Sequence, residues 1–262
     1  MTVDIRELSD VEDLVPLAEL FAVVWGRPGD APIGSDVLKA LASSGNYVAG
    51  AFEGGRLIGG LVGWFAGTPP DDLHVHSHIL GVLPDRDARG VGFDLKQHQR
   101  RWSLARRVSV IEWTTDPLVR RNAYFNLRKL GAQAPRYLVN VYGAMRDGIN
   151  AGEESDRLLI RWQLDSEEAE AAAAGRPCEV AADGDAVLTV GSAGEPVFTA
   201  SGAPVLLCEV PDDIVGLRRA RPAIAREWRM TLRRVLRDAL DAGYVIKGAT
   251  RSGAYVLESA AH

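Results

Sequence analysis

The stretch 76–92 constrains the fold most strongly, because an apolar strand, a glycine-bearing loop and a helix start follow one another within it. Gly90 and Gly92 let backbone N–H groups approach a ligand without an intervening Cβ atom. The helix that starts near Phe93 adds unpaired N–H groups and the positive end of its dipole. The stretch therefore predicts a site for a phosphate or pyrophosphate group, which the rest of the chain builds or supplies with a second substrate.

The composition argues against several classes of protein. With 262 residues and 47% hydrophobic content, the chain can bury a large core in one or two domains. Its formal net charge of −5 argues against bulk nucleic-acid binding. Cys178 and Cys208 form neither a disulfide framework nor a metal-type spacing, which fits a reducing cytoplasm. Residues 1–6 have no apolar signal region, and no apolar run approaches the roughly 20 residues that span a bilayer. A cytoplasmic protein without a membrane partner is expected.

Strand and helix signals alternate along the chain. Up to about residue 145 their order is β-α-α-β-β-β-loop-α-β-α-β, which predicts an α/β (mixed α+β) fold whose mixed sheet has helices on both faces. Residues 148–152 are rich in glycine and mark a boundary. We therefore expect a first domain at 1–147 and a C-terminal α+β extension at 153–262, with one long helix over residues 212–242.

Two segments resemble motifs of a known family. Val82, Pro84, Gly90, Gly92 and Leu95 resemble motif A of the GNAT superfamily of acyl-CoA N-acyltransferases. Residues 121–132 resemble the helix of its motif B, which ends in a Lys-Leu-Gly-Phe-like sequence. The order of elements also matches the sheet of this family. A longer string between residues 76 and 157 resembles a bacterial GNAT subfamily with a C-terminal extension, which is linked to N-succinylation of amino acids.

The resemblance implies an acyl-CoA-dependent N-acyltransferase. Such an enzyme moves an acetyl or succinyl group from acetyl-CoA or succinyl-CoA to the amine of a small molecule, here an amino acid, and it needs no metal. The implied partners are the acyl-CoA and the amine, without nucleic acid, and a homodimer is a further expectation. The residues expected to contact the cofactor are Leu80, Val82, Arg86, Arg89, Gly90, Val91, Gly92, Asn122 and Asn126.

The sequence departs from the family pattern at two places. Asp87 and Ala88 stand where motif A usually has Gln or Arg followed by Gly, so an anion has to be held by backbone donors and the flanking arginines. Leu127 stands where many members have a tyrosine that acts as general acid. Tyr124 lies about one helical turn earlier on a similar face and is the expected substitute.

Three histidines alternate along the strand before the loop, and a regular strand places His74, His76 and His78 on one face. Imidazole titrates near neutral pH, so His78 is the first choice for the general base and His76 the second. The alternative is that these histidines are hydrogen-bonded sheet residues without a chemical role. A metal site is a weaker alternative, because the sequence offers no acidic or cysteine partner.

Two further features allow both a functional and a structural interpretation. Asp116 followed by Pro117 is expected to cap a helix that runs to Leu130, although it can also orient the base. Arginines recur every three or four residues on the long C-terminal helix. They form either a solvated face or a wall that recognises an acidic acyl group or a carboxylate. The alternative to an enzyme is a CoA or small-ligand sensor that has lost transfer, which Asp87 and Leu127 favour.

Overall fold

The computed structural model describes residues 3–27, 29–84, 90–143 and 153–260. The chain packs as two compact units, of which the first extends from the N-terminus to Trp113 and the second begins at Thr114. The predicted boundary between residues 147 and 153 falls almost entirely on 144–152, outside the described residues, and stays a prediction.

The first unit is built on a mixed sheet. Its elements are β1 (Asp4–Glu7), α1 (Val11–Val24), α2 (Ser35–Ser43), β2 (Tyr47–Glu53), β3 (Arg56–Ala66), β4 (His74–Val82), α3 (Val91–Ala105) and β5 (Val110–Thr115), whose last two residues belong to the second unit. The strands β1 to β4 pair as antiparallel neighbours, and β5 joins β4 in parallel. This mixture follows from the connections, because a hairpin joins β2 to β3 whereas a helix crosses over between β4 and β5.

Helices cover both faces of this sheet. On one face, Leu17 and Phe21 of α1 pack in a core with Val62 of β3 and Ile79 of β4. The buried leucines of α1 recur every three residues, at 14, 17 and 20, and this helical spacing explains which side is buried. On the other face, α3 contacts β4 through a hydrogen bond from Ser77 Oγ to a side chain of the helix. A mixed α+β fold with a sheet flanked by helices is therefore confirmed.

The second unit contains a strand pair and a separate sheet. Its elements are α4 (Arg120–Ala123), a π-helix (Tyr124–Lys129), β6 (Gln133–Leu138), β7 (Arg157–Gln163), α5 (Glu167–Ala173), β8 (Asp185–Val190), β9 (Pro196–Phe198), β10 (Val205–Cys208), α6 (Ile214–Ala220), α7 (Pro222–Asp241), β11 (Tyr244–Ala249) and β12 (Tyr255–Ser259). β6 and β7 are antiparallel, and the five-stranded sheet has the order β11-β12-β10-β8-β9.

Two predicted helices differ from the structure. The single helix expected over 212–242 is two helices, because Pro222 is the first residue of α7 and the preceding Arg221 leaves the helical region with φ −142° and ψ 70°. The helix expected from Pro117 begins at Arg120 and turns into a π-helix at Tyr124. Among the helices of the described ranges, none is both long and apolar enough to cross a membrane.

Candidate active site

A β-bulge interrupts β4 at His78. Val62 of β3 faces Ile79, and the next residue, Gly63, faces Ser77, so His78 has no residue opposite it. In a regular strand Ser77 and Ile79 share a face. Here Ser77 bonds to α3 while Ile79 packs in the core around α1, so the bulge reverses the faces of the strand.

The bulge groups the histidines with a tryptophan. Trp64 of β3 is paired with His76, and the two ring centroids are 5.0 Å apart. The His78 ring lies 4.6 Å from Trp64 and 5.7 Å from His76. His78 is exposed and His76 is half-buried. The third histidine, His74, bonds instead to the backbone oxygen of residue 72 at 3.1 Å. The strand therefore presents two accessible imidazoles side by side.

Both imidazoles are neutral at pH 7. Burial lowers the pKa of the His76 imidazole to about 4, and the neighbouring His78 is the next cause. Burial also lowers the pKa of the His78 imidazole. A neutral imidazole can accept a proton, and His78 is the more exposed of the two. The predicted order, with His78 before His76 as the base, stays a prediction.

β4 pairs with β5 only as far as His76. The two strands pair at Val75 with Ile111 and at His76 with Glu112, and then the pairing ends. β4 continues to Val82 with β3 along its other edge. Among the described residues, this leaves the backbone N–H and C=O groups of 77–82 without a strand on the β5 side. Such an edge can hydrogen-bond an extended ligand.

The helix start predicted from the sequence lies after this open edge. Gly90 is the N-cap of α3 in the left-handed conformation, with φ 84°, which favours glycine. Val91 and Gly92 form its first turn, where the N–H groups have no partner within the helix. The side chains of Leu80 and Val82 approach within 3.8 and 3.9 Å of the place that a Cβ atom on Gly92 would occupy. Arg86 and Arg89, with Asp87 and Ala88, lie outside the described residues.

The remaining predicted residues lie in the second unit. Tyr124 is the first residue of the π-helix and is partly exposed. The backbone N–H of Leu130 donates to the oxygen of Phe125 at 3.0 Å, a bond over five residues. Asn122 lies in α4 and Asn126 in the π-helix, so the four-residue spacing that puts two side chains on one face of an α-helix does not apply to them. Asn126 is buried and Asn122 is partly exposed. The chemical roles of Tyr124 and both asparagines stay predictions.

A buried lysine on α3 is not among the residues predicted from the sequence. Lys96 is 2% exposed and donates from Nζ to Ser77 Oγ at 2.9 Å. The same ammonium lies 3.5 Å from the centroid of the Trp113 ring. Burial holds the pKa of Lys96 well below its usual value. The signal was the spacing of Lys96, Gln99 and Ser103, which continues one helical face.

Asp116 is not the N-cap of α4, contrary to the sequence prediction. It is 7% exposed, and α4 begins after Val119 without a side-chain cap. Its Oδ2 accepts from Arg218 Nη2 at 2.6 Å, and both of its oxygens accept from Arg229, at 2.8 and 2.9 Å. Glu153 completes the cluster through a 3.0 Å bond from Arg218 Nε.

The arginine stripe on α7 is therefore neither a solvated face nor a free anion-binding wall along its whole length. Arg229 is buried against Asp116, and Arg233 donates to the carboxylate of Asp156 at 2.7 and 2.8 Å. Arg226 and Arg237 are exposed. The alternation of buried and exposed guanidinium groups is invisible in the sequence, because their acidic partners are distant in it.

Within the described ranges, no group of three or more His, Cys, Asp or Glu side chains is placed to hold a metal ion. No protein-family model matches the sequence, and no curated protein matches it.

Solved structures are similar to this chain in fold. Naa50 from Arabidopsis thaliana, in complex with the bisubstrate analogue CoA-Ac-MVNAL, is 17% identical, covers 62% of this chain and 98% of its own, and has a TM-score of 0.50. Naa20 from Chaetomium thermophilum, in complex with a bisubstrate analogue, is 17% identical over 61% of this chain and 86% of its own, with a TM-score of 0.51. yncA from Salmonella typhimurium, with its cofactor acetyl-CoA, is 17% identical over 64% of this chain and 96% of its own, with a TM-score of 0.50.

At 17% identity these similarities establish a shared fold, and more than a third of this chain lies outside each of them. The mixed sheet, the parallel pairing of β4 with β5 and the helices on both faces agree with that result. The protein therefore has the GNAT-type fold that its sequence predicts.

Proposed function

We propose that this protein is an acyl-CoA-dependent N-acyltransferase that moves an acetyl or succinyl group to the amine of a small molecule, such as an amino acid. One observation carries the proposal: the pairing of β4 with β5 ends at His76, immediately before the bulge that exposes His78. A neutral imidazole thus lies beside an open backbone edge. Structures of similar fold hold acetyl-CoA or a bisubstrate analogue, which supports the choice of ligand.

The acyl-CoA substrate fits this edge by hydrogen bonding. Its pantetheine arm carries amide groups that can bond along 79–82 as an added strand would. Its pyrophosphate suits the N–H groups of Val91 and Gly92, which have no partner within the helix, at the positive end of α3. Arg86 and Arg89 keep their predicted role as additional cationic donors. Binding both reactants side by side would supply a large part of the rate enhancement.

His78 acts as the general base in this proposal. A neutral amine attacks the thioester carbonyl carbon, a C–N bond forms, and the C–S bond breaks. The proton that leaves the amine nitrogen goes to the imidazole of His78, and the leaving thiolate takes up one proton to become the free thiol of CoA. His78 returns its proton in that step, or Tyr124 supplies one as the resemblance predicts, after which His78 releases its proton to water and the tyrosinate takes one up from water. Atoms and charges balance along either route.

The test is a His78→Gln variant. General base catalysis contributes about 10²–10⁴-fold, so we expect kcat to fall by roughly that factor while the Kd for CoA stays unchanged. His98→Gln is the matched control, because His98 lies on α3 and bonds to Tyr47 at 2.8 Å. Turnover would be measured as release of free thiol. Unchanged turnover in the His78 variant would refute the assignment of the base.

A panel of acetyl-CoA and succinyl-CoA against D- and L-amino acids identifies the substrates. We expect thiol release that depends on the amine and is faster for one acyl group than for the other, since a pocket that accommodates a carboxylate discriminates strongly. Release at the same slow rate with every amine would contradict an amino-acid acceptor.

The second candidate function is a sensor that binds CoA or a small ligand without transfer. Leu127 favours it, because this buried apolar side chain, 3% exposed, stands where many members of the GNAT superfamily have a tyrosine that acts as general acid. Thermal stabilisation by CoA without thiol release from any pair in the panel would support the sensor. Turnover with any amine would exclude it.

A further inference from the structure

A basic cleft lies in the second unit, beside α4. It has a volume of about 280 Å³, and three arginines, Arg120, Arg121 and Arg251, stand on its walls. Asp212 is the carboxylate among the residues that line it. Of the residues that line the cleft, three are arginines and one is a carboxylate, Asp212, which pairs with Arg120. Arg251 therefore brings a positive charge that no further carboxylate of the lining offsets.

The chain brings Arg251 to this cleft by a turn that is fixed in place. Residues 250–254 connect β11 to β12, and the backbone N–H of Gly253 donates to the oxygen of Thr250 at 2.9 Å. Gly253 has φ 83°, and a Cβ atom there would lie 2.3 Å from Cγ of Arg120. Only glycine lets the turn rest directly on Arg120 in this way. The buried Tyr255 fixes the next strand through a 2.8 Å bond to Pro117 O.

Neutral donors accompany the charges. Tyr124 and Ser252 also line the cleft, and both carry hydroxyl groups. Arg120 pairs with Asp212, whose side chain is 86% exposed. An ion pair this exposed is weak, so an incoming anion can replace Asp212 at little cost. Arg251 is exposed at the rim.

We propose that this cleft binds a carboxylate or a phosphate group through Arg120 and Arg251. A guanidinium presents parallel N–H donors that match both anions in a bidentate geometry. A volume of about 280 Å³ accommodates one such group with its near substituents but not a whole nucleotide cofactor. The anion is either a phosphate of a CoA-type ligand or the carboxylate of a small acid, and the experiment separates these sources.

The experiment measures binding by calorimetry with the full chain and needs no turnover, so it stands even if the protein transfers no acyl group. The probes are inorganic phosphate, succinate, CoA and 3′-dephospho-CoA. In Arg251→Ala we expect about tenfold weaker binding of at least one probe. Arg251→Lys should weaken binding of that probe less, because it keeps the positive charge but loses the parallel N–H donors of the guanidinium. Arg237→Ala is the matched control, because Arg237 is exposed on α7 and is not among the residues that line the cleft.

The pattern across probes identifies the anion. A loss for CoA but not for 3′-dephospho-CoA assigns the cleft to the 3′-phosphate, whereas a loss for succinate alone assigns it to a carboxylate. Gly253→Ala, which moves the turn without removing a charge, is expected to weaken the same probe. Thermal unfolding of each variant checks that it is folded, and Arg251→Gln replaces Arg251→Ala if the latter is not. Wild-type affinity for all four probes in the Arg251 variants, or an equal loss in Arg237→Ala, would overturn the proposal.

Discussion

The two units bury charged side chains in opposite ways. In the first unit, Lys96 is buried against a hydroxyl, an amide and the face of an indole ring, without a carboxylate among its contacts in the described residues. In the second unit, Asp116 is buried against two guanidinium groups that hold both of its oxygens. Within the described ranges, Lys96 is thus buried without a carboxylate beside it, whereas Asp116 is buried inside a network of opposite charges.

The pKa directions show what this difference does. Burial alone lowers the pKa of Lys96 well below its usual value, so the lysine is driven toward its neutral form. Burial would raise the pKa of the Asp116 carboxyl, but Arg229 and Arg218 outweigh it and hold that pKa well below the usual range. Asp116 therefore stays charged. A buried ionisable group therefore either loses its charge or is paired with an opposite charge. In a buried pair, removal of either partner destabilises the protein, because the other charge is left uncompensated.

The largest expected effect is the loss of that pairing. Asp116→Asn leaves Arg218 and Arg229 buried with too little negative charge, and breaking a buried pair typically costs about 3–5 kcal/mol. Urea unfolding at pH 7 would measure the change in the free energy of unfolding. Asp238→Asn, an exposed site on α7, is the matched control and should change it by less than about 0.5 kcal/mol. Equal small changes in both variants would mean that the cluster contributes nothing to stability.

Replacing Lys96 should stabilise the folded protein, whereas replacing Asp116 should destabilise it. Because its folded-state pKa is lowered, the unfolded chain binds more protons than the folded protein below the usual lysine pKa. Stability from this group is therefore lost as pH falls, at up to about 1.4 kcal/mol per pH unit. Lys96→Met removes that slope and packs an unbranched apolar chain against Trp113. We expect the variant to be more stable than the wild type at pH 7, with the two converging as pH rises.

The measurement is urea unfolding of both proteins at pH 7, 8 and 9. Lys247→Met is the control, because Lys247 is exposed on β11, and its slope should equal that of the wild type. A wild-type slope identical to that of Lys96→Met would show that the buried lysine keeps its proton.

Much of the fold was predictable from the sequence because its signals are local. Gly131, with positive φ, follows the end of the π-helix as expected. The helix expected from about Phe93 begins two residues earlier, at Val91, directly after the left-handed Gly90. Pro222 is the local signal for the break between α6 and α7, because a proline inside a helical pattern disfavours the helical region at the preceding residue. The single helix expected over 212–242 did not include this break.

The less predictable features depend on contacts between distant residues. The bulge at His78 is set by the register against β3, and a sequence shows alternation but not register. The cluster around Asp116 joins residues more than 100 positions apart, so Asp116-Pro117 had the appearance of an ordinary helix cap. The π-helix at Tyr124 likewise changes which side chains share a face without a change in composition. Such features determine which side chains of the candidate site lie together, and the order of secondary-structure elements does not reveal them.

The smallest expected effect on stability belongs to His76, an ionisable group near the surface that is buried only in part. It is half-buried, and burial lowers its pKa to about 4, so it behaves as Lys96 does but to a lesser degree. Between pH 6.5 and 4 the unfolded chain binds a proton that the folded protein does not, and stability falls as pH falls through this window. His76→Gln should reduce the slope there by less than about 1.4 kcal/mol per pH unit. Above pH 7.5 the two unfolding curves should run parallel, which serves as the internal control, whereas equal slopes below pH 6.5 would show that a half-buried imidazole next to Trp64 titrates as it does in water.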